Sequence, residues 1–426
     1  MTNSSLFIYM FIAGLSFLNF IRIFALLIGS DIYDIIQIIK KSVKRRAYQP
    51  RISIIIPAYN EEMGVIRTIE SVMASNYAKK EIIVVNDGST DQTKAVLRAF
   101  QKRNPGAISI INQQNAGKAK ALNNAIFNRA QGPLVMVLDA DSLLHPDSLT
   151  NMVAHFRDKR IIAAASNVKI LPTKSTLGLS QRIEYLISYR MKRSMSIMNM
   201  EYIVGGVGST FRRSVLLKVG GYDTDTMTED IDLTVKLIKI FGNTKNRIHY
   251  AADSVAYTEH VLSFPSLIKQ RFRWKYGRFQ TLLKNKDMFF SKSKNYDKKL
   301  TWIQFPYALI GELVLLVEPL LVGYILWVTV AYGDTTSLLS VYIIVSSFIF
   351  LMLLGENTET TKTKLSLSAI LPLAYILMYI LAVVEFVALI KSLQRHKLLL
   401  SNTVEESSWQ HVERSGKKIV VTDLPG

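Results

Sequence analysis

The apolar and polar positions of this chain divide it into an apolar start, a mixed middle and an apolar end. Residues 6–28 form a largely apolar stretch that is long enough to cross a bilayer as a helix. Three further apolar stretches, residues 302–331, 338–354 and 368–390, follow the mixed part. The pattern predicts one globular domain held between transmembrane helices.

The mixed part alternates short β-branched runs with amphipathic stretches. The runs ISIIIPAYN, EIIVVNDGSTD and GPLVMVLDADS end in polar or turn residues, and helical patterns such as VIRTIESVMAS separate them. Buried strands that alternate with helices predict an α/β domain with a mostly parallel sheet. Because ligands bind beyond the carboxyl ends of the strands in such sheets, we expect the chemistry at these polar ends.

We therefore divide the chain into four parts. Residues 1–46 hold an N-terminal transmembrane helix and a basic juxtamembrane segment, and residues 47–298 form the α/β domain. Residues 299–395 hold the C-terminal transmembrane helices, and residues 396–426 form a polar tail. A cleaved signal peptide is the alternative for the first apolar stretch, but it needs basic residues before the run and a small-residue cleavage site after it.

The charges beside the apolar stretches predict the topology. Five cations between Lys40 and Arg46 predict that the α/β domain lies in the cytoplasm. Together with the four apolar stretches, they predict a multi-pass protein of the plasma membrane. One span before the domain and three after it would put both termini outside, whereas the basic tail KSLQRHK favours the cytoplasm. The number of C-terminal spans therefore stays open, and we expect Pro306 and Pro319 to break the first of these stretches.

Composition removes several classes of site. The 426 residues include no cysteine, which excludes disulfides, thiolate metal sites and a cysteine nucleophile. The net charge of +19 is compatible with a nucleic-acid partner. However, many lysines and arginines flank apolar stretches rather than forming a basic-aromatic stripe. We therefore predict no nucleic-acid partner and assign this charge to the lipid bilayer and to a nucleotide diphosphate.

A pair of carboxylates follows the strand LVMVL. Asp139 and Asp141 form D-A-D, and side chains two residues apart beyond a strand can reach one divalent cation. Mg²⁺ and Mn²⁺ prefer such oxygen ligands and share them with substrate phosphates. In isolation the same pattern is typical of a solvated turn.

Asp87 and Lys118 also follow predicted strands. Asp87, in NDGSTD, can accept hydrogen bonds from a base or a ribose, or can form a plain turn with Gly88. Lys118, in NAGKAKALN, can direct a cation at the phosphates or can be solvated.

The segment Thr228-Glu229-Asp230 precedes the helical pattern IDLTVKLIKI. Thr228 is predicted to cap the helix, which places Asp230 in the first turn, where the helix dipole favours an ionised carboxylate. A positioned carboxylate of this kind can act as a general base toward a sugar hydroxyl. Ordinary first-turn acidity is the alternative.

The motif QRFRW places Gln270, Arg273 and Trp274 on one helix face. Arginine offers a planar fork for a diphosphate, and tryptophan offers a flat surface for a sugar ring. A helix at the membrane surface would carry the same residue types. Gly206 and Gly208, in VGGVGS, are expected to let a substrate approach the backbone closely.

The order PAYNE, NDGSTD, DAD, TED and QRFRW between apolar stretches resembles the processive family 2 glycosyltransferases. NAGKAKALN, DTMTEDIDLTVKL and QRFRW look most like the bacterial poly-β-1,6-N-acetylglucosamine synthases, which make a biofilm polysaccharide. The resemblance covers about residues 50–280 and implies a GT-A nucleotide-sugar-binding domain.

The resemblance also implies roles for individual residues. Asp230, with Glu229 beside it, would be catalytic, and Asp139 and Asp141 would hold Mg²⁺ or Mn²⁺. Trp274, Gly206 and Gly208 would bind the acceptor. The remaining residues would bind the nucleotide sugar: Ala58, Tyr59, Glu61, Asp87, Lys118, Asp139, Gln270 and Arg273.

The implied activity is an inverting transfer of N-acetylglucosamine from a UDP-sugar donor to a glycan acceptor, and a small membrane partner subunit is compatible with it. The alternatives are a non-processive enzyme that makes a glycolipid, a synthase of the hyaluronan, chitin or cellulose type, and a non-catalytic scaffold or sugar-nucleotide sensor. VGGVGS departs from the acceptor loops of cellulose and hyaluronan synthases, which leaves acceptor and linkage open.

Overall fold

The computed structural model describes residues 3–41, 48–333 and 335–395. The predicted polar tail and most of the basic juxtamembrane segment lie outside the described residues. The strands are β1 (Ile52–Ala58), β2 (Lys80–Asp87), β3 (Ser109–Gln113), β4 (Leu134–Val137), β5 (Leu143–Leu144), β6 (Ile161–Ile170), β7 (Ser209–Arg212) and β8 (Arg247–Thr258). The helices are α1 (Asn3–Lys41), α2 (Val65–Met73), α3 (Thr93–Arg103), α4 (Lys118–Asn128), α5 (Ser148–His155), α6 (Thr176–Ile197), α7 (Arg213–Lys218), α8 (Glu229–Phe241), α9 (Phe264–Lys284), α10 (Phe305–Tyr332), α11 (Thr335–Leu354), α12 (Thr361–Ser368) and α13 (Leu371–Gln394).

The strands form one sheet in the order β3-β2-β1-β4-β7-β6-β8-β5. β1 is parallel to β2 and β4, β2 is parallel to β3, and β6 is parallel to β8. β7 is antiparallel to both β4 and β6, and β5 is antiparallel to β8. The predicted mostly parallel sheet is therefore confirmed.

The side chains of the central strands alternate between two apolar layers. Ile55 and Val137 lie in the layer that includes residues of α4 and α8, whereas Ile54 and Met136 lie in the layer formed with α2, α3 and α5. Because helices cover both faces, the strands are apolar at nearly every position rather than at alternate ones.

The strand register brings three of the predicted motifs to one edge of the sheet. Ala58 at the end of β1 is paired with Asn86 of β2, and Asn86 is paired with Asn112 of β3. β4 lies on the other side of β1, with Val137 opposite Ile55. The turns PAYNE, NDGSTD and DAD therefore follow neighbouring strand ends, as predicted.

The apolar stretches are helical, but most of the predicted membrane arrangement stays a prediction. Residues 6–28 lie within α1, and the C-terminal stretches correspond to α10, α11 and α13. Within the ranges that the structure describes, α13 alone is long and apolar enough to cross a membrane, and residues 342–354 of α11 form a shorter apolar segment.

The expected break at Pro319 is wrong. α10 continues through Pro319, while Pro306 lies in its first turn, where a missing N–H costs little. A proline removes one backbone hydrogen bond from a helix interior. In apolar helices, packing and local adjustment commonly maintain the helix around it.

The last part of α1 packs on the α/β domain. Tyr33 is buried, and its hydroxyl donates a hydrogen bond of 2.6 Å to the carbonyl oxygen of Tyr250 in β8. Asp34 forms an ion pair of 2.7 Å with Arg193 of α6. This amphipathic segment is therefore an anchor for the domain.

Candidate active site

The PAYNE and NDGSTD turns are held together by hydrogen bonds. The backbone N–H of Asn60 donates to Ser89 Oγ at 3.1 Å, and the side-chain oxygen of Asn60 accepts from the N–H of Thr90 at 2.8 Å. The N–H of Glu61 donates to Thr93 Oγ1 at 2.8 Å. Asn60 has a φ of 55°, which asparagine tolerates better than most residues.

The start of α2, which follows the PAYNE turn, lies against the D-A-D turn. Thr68 Oγ1 donates to the carbonyl oxygen of Ala140 at 2.7 Å, and a Cβ atom on Gly64 would be 2.9 Å from the same oxygen. Ala58 is fully buried at the end of β1, and Tyr59 follows it half-buried. The turns that carry the predicted nucleotide-binding residues thus form one surface.

Asp87 has a structural role that the sequence analysis missed. Its buried carboxylate accepts hydrogen bonds from Gln113 Nε2 at 2.7 Å and from the N–H groups of Ala116 at 3.0 Å and Gly117 at 2.9 Å. Asp87 therefore shapes the loop that leads into Lys118, the first residue of α4. Its predicted contact with the nucleotide stays a prediction.

Lys118 joins two of the predicted acidic motifs. Its ammonium lies 2.8 Å from Asp139 Oδ1 and 3.1 Å from Glu229 Oε1. Burial lowers the pKa of Lys118, but Asp139 and Glu229 outweigh burial and raise it well above its usual value. Lys118 is therefore charged at neutral pH. Sequence spacing could not reveal this pairing because the three residues lie on different elements.

Gly206 faces this cluster. A Cβ atom at Gly206 would lie 3.0 Å from the Lys118 ammonium and 3.6 Å from both carboxylate oxygens of Asp139. The space beside the two charged groups therefore depends on the absence of a side chain.

Asp230 lies in the first turn of α8 beside the same cluster. Its Oδ1 accepts a hydrogen bond of 2.8 Å from the N–H of Ile231. Burial raises the pKa of Asp230 to about 6, and Glu229 adds to this rise, whereas Lys118 lowers the pKa. A carboxylate whose pKa is close to neutral can accept a proton and still be largely ionised at pH 7.

The predicted cap by Thr228 is wrong in its chemistry. Thr228 occupies the N-cap position, but its side chain makes no capping hydrogen bond, and Oγ1 is buried with no hydrogen-bond partner among the described residues. Gly277 of α9 packs directly on this hydroxyl, so that a Cβ atom on Gly277 would overlap Thr228 Oγ1.

Gly208 is required by its backbone conformation. Its φ is 70°, and a Cβ atom would lie 2.5 Å from Ser166 Oγ. Most side chains disfavour this conformation, so the fold alone explains the glycine. Its role in acceptor binding stays a prediction.

The QRFRW motif lies in α9, as its helical spacing predicts. Gln270 is buried, and Arg273 and Trp274 are half-buried. α9 reaches the TED segment through Gly277, one turn after Arg273. The predicted contacts of these side chains with diphosphate and acceptor stay predictions.

Arg271 in the same motif was not selected from the sequence. Its guanidinium lies 4.4 Å from the centroid of the Trp274 ring. It also forms ion pairs with Glu184 of α6 at 2.7 Å and Glu385 of α13 at 3.3 Å. Arg271 therefore supports Trp274 and connects it to two other helices.

The aspartates of the D-A-D turn suit a divalent cation. Asp139 and Asp141 supply the oxygen ligands that Mg²⁺ and Mn²⁺ prefer, and Asp139 uses one of its two carboxylate oxygens to pair with Lys118. The space left by the missing side chain of Gly206 lies next to both carboxylate oxygens of Asp139. These residues fit the predicted cofactor.

A second acidic group has metal-like spacing but already contains a cation. Asp223, Asp225 and Asp232 bring their carboxylates within 4.8 Å of one another. The ammonium of Lys284 lies 3.0, 2.8 and 2.9 Å from these three carboxylates, respectively. We assign no metal to this group.

Comparison with known proteins agrees with this geometry. Residues 53–220, from β1 through α7, match the model of Glycosyl transferase family 2. These residues form a family 2 glycosyltransferase domain. The match spans the PAYNE, NDGSTD and DAD turns together with Lys118 and Gly206.

Two staphylococcal proteins resemble a longer part of the chain. Poly-beta-1,6-N-acetyl-D-glucosamine synthase from Staphylococcus aureus (strain COL) is 36% identical over 246 residues, which is 57% of this chain and 57% of that protein. The protein of the same name from Staphylococcus epidermidis is 35% identical over 236 residues, 55% of this chain and 56% of its own length. The matched region is thus a little over half of each relative.

A solved structure supports the fold of the glycosyltransferase domain. The mannosyltransferase PcManGT from Pyrobaculum calidifontis, in complex with GDP-Man and Mn²⁺, aligns over 88% of this chain and 97% of its own chain. The TM-score is 0.53 and the sequence identity is 21%. At this identity the likeness concerns the fold alone.

Proposed function

We propose that this chain is a membrane-bound, processive, inverting transferase that polymerises N-acetylglucosamine from UDP-N-acetylglucosamine into a biofilm-type polysaccharide. The observation that carries the transferase chemistry is Asp230, a carboxylate with a pKa of about 6 beside the cluster of Lys118, Asp139 and Glu229. The choice of sugar and product is supported by the names of the staphylococcal relatives.

The reaction is a single displacement. Asp230 takes the proton from an acceptor hydroxyl, and the hydroxyl oxygen forms a bond to the anomeric carbon of the donor sugar. The bond between that carbon and the UDP oxygen breaks, and UDP leaves with the electron pair. The configuration at the anomeric carbon is therefore inverted, and the proton remains on Asp230.

The surrounding residues orient the substrates and balance charge. A divalent cation bound by Asp139 and Asp141 would stabilise negative charge on the departing diphosphate. Lys118 and Arg273 supply further positive charge to the departing diphosphate, because an ammonium and a planar guanidinium both bind phosphate oxygens. Trp274 offers its ring to the terminal sugar of the acceptor, and Arg271 restrains that ring.

The test uses membranes that carry the full chain, with radiolabelled UDP-N-acetylglucosamine, with and without EDTA. We expect a long, metal-dependent labelled polymer and no polymer from membranes that carry Asp230→Asn. A short lipid-linked product would instead indicate a non-processive enzyme, and a polymer from another UDP-sugar would indicate a synthase of the hyaluronan, chitin or cellulose type. Binding of UDP without its release from any UDP-sugar would indicate a sensor and overturn the proposal.

A further inference from the structure

The segment that carries Asp230 is held by one face of α9. The contacts come from Gly277, Gln280 and Lys284, whose spacing of three and four residues places them on one side of the helix. Gln270 and Arg273 continue this series toward the start of the helix, at the same alternation of three and four. One face of α9, called the base-facing stripe below, thus carries two residues of QRFRW and also contacts residues 223–232, the segment that contains the base Asp230.

The contacts with the segment are close and specific. Gly277 packs on Thr228 so tightly that a Cβ atom would lie 2.8 Å from the backbone nitrogen of Thr228. Gln280 Oε1 accepts a hydrogen bond of 2.9 Å from the N–H of Met227. Met227 and Thr228 directly precede Glu229 and the base Asp230, so α9 contacts the chain where it enters α8.

Lys284 completes the base-facing stripe at the end of α9. Its ammonium joins Asp223 and Asp225, in the loop before α8, to Asp232 within α8. The side chain of Asp232 is only 1% exposed, so its charge requires a partner. Because Asp223, Asp225 and Asp232 lie on both sides of Asp230 along the chain, Lys284 ties the loop and the helix together around the base.

The opposite face of α9 is itself anchored. Arg271, Lys275 and Arg278 are spaced by four and three residues and point away from the base-facing stripe. They form ion pairs with acidic residues of three other helices: Glu184 of α6, Glu312 of α10 and Glu385 of α13. α9 is therefore held on both sides, and these ion pairs fix the position of the face that contacts the segment of Asp230.

We infer that Gly277, Gln280 and Lys284 are positioning residues that set the place of Asp230 relative to the QRFRW side chains. This inference rests on the proposed function, in which Asp230 is the base and Arg273 binds the departing diphosphate. α9 acts as a rigid template between the two groups. Of the three, Lys284 contributes most, because its ammonium reaches both the loop and α8. Lys236 within α8 pairs with Asp223 as well and adds to this connection.

The experiment measures hydrogen exchange of the full-length protein over residues 222–232, together with the kinetics of UDP release. Lys284→Met removes the charge, Lys284→Arg keeps it, and Gln280→Ala removes the acceptor of the Met227 N–H. Lys269→Met is the matched control, because Lys269 is exposed near the start of α9. UDP affinity and thermal unfolding verify that each variant is folded.

We expect Lys284→Met to speed exchange over residues 222–232 by about tenfold, because the segment opens locally more often. We expect kcat to fall about tenfold with an unchanged KM for the donor, because the interaction acts on the placement of the base in the transition state. Gln280→Ala should show smaller changes in both quantities, and Lys284→Arg should restore most of the exchange protection and of kcat.

Two results would overturn the inference. One is exchange over residues 222–232 that is the same in Lys284→Met as in Lys269→Met. The other is faster exchange with an unchanged kcat, since the segment would then be held without being positioned for catalysis. If the wild-type protein releases UDP from no UDP-sugar, the proposed function fails, and the exchange measurement still decides whether α9 holds the segment.

Discussion

Two acidic clusters near the base, around Lys118 and around Lys284, differ in what surrounds them. Lys118 contacts Asp139 and Glu229 at the edge of the sheet, opposite Gly206. Lys284 contacts three aspartates between α9 and the segment of the base. The second cluster has more carboxylates, yet the first has the features of a reaction site.

The surroundings of Lys118 explain this difference. A glycine keeps space open beside Asp139, the second aspartate of D-A-D lies two residues further, and Asp230 is close enough for its pKa to respond to Lys118. At Lys284 the ammonium is within 3.0 Å of all three carboxylates and satisfies the group from inside the protein. The number of carboxylates is therefore a poor guide to a metal or catalytic site, and the space beside them is a better one.

The largest expected effect separates the base from the other acids. Asp230→Asn should lower transfer by about 10³-fold, because it removes the proton acceptor. UDP affinity, measured by calorimetry, should be nearly unchanged. Asp158→Asn is the control, since the side chain of Asp158 forms a surface ion pair with its neighbour Arg160. Normal turnover of Asp230→Asn would show that the base has been assigned incorrectly.

The second prediction compares the two clusters as cation sites. Asp139→Asn should weaken Mn²⁺ binding in the presence of UDP by about tenfold or more, because it removes one oxygen ligand. Asp223→Asn should leave Mn²⁺ affinity unchanged, because Lys284 already neutralises that group. Electron paramagnetic resonance of free Mn²⁺ measures both. Equal losses of Mn²⁺ affinity in the two variants would show that both clusters contribute to Mn²⁺ binding.

The third prediction concerns pH. Burial and Glu229 raise the pKa of Asp230 to about 6, and the base must be ionised to act. The value of kcat/KM should therefore be level above about pH 6 and fall about tenfold per pH unit below it. Because Glu229 raises this pKa, Glu229→Gln should move the inflection to lower pH in whatever activity remains. An unchanged inflection would show that Glu229 does not affect the pKa of the base.

The smallest expected effect concerns the open side of the Lys118 cluster. Gly206→Ala places a methyl group against the Lys118 ammonium and Asp139, so we expect kcat/KM to fall by about tenfold or less. Gly205→Ala is the paired variant, because its Cβ atom would be 4.0 Å from Asp230 Oδ2, at ordinary contact distance. A larger loss in Gly205→Ala would mean that the space that matters lies beside Asp230.

Much of the fold could be predicted because its signals are local. The runs around Ile55, Val85 and Val137 are apolar throughout, which is the pattern of strands covered on both faces. The parallel pairing of β1, β2 and β4 then brings Asp87 and Asp139 to one edge. The antiparallel insertion of β7 between β4 and β6 had no comparable signal, because it depends on pairing between distant segments.

The site was predictable as a set of residues but not as a set of contacts. Asp139, Lys118 and Asp230 were each recognised from their own motif, whereas their pairing depends on β4, α4 and α8 meeting at one edge. Arg271 and Lys284 gave no signal, since charged residues on an amphipathic helix are common at solvated surfaces. Only their partners on other elements distinguish them.

The amino-acid sequence was sufficient to predict the strands β1, β2 and β4, the apolar stretches toward both ends of the chain and the polar residues at those strand ends, because each of these follows from short-range periodicity and residue type. The three-dimensional arrangement was needed to learn which carboxylates pair with a lysine, how far burial raises the pKa of Asp230, and which face of α9 contacts the residues before and after Asp230. The physical reason is that electrostatic and packing effects depend on distance in space, and residues more than a hundred positions apart in the chain set those distances here.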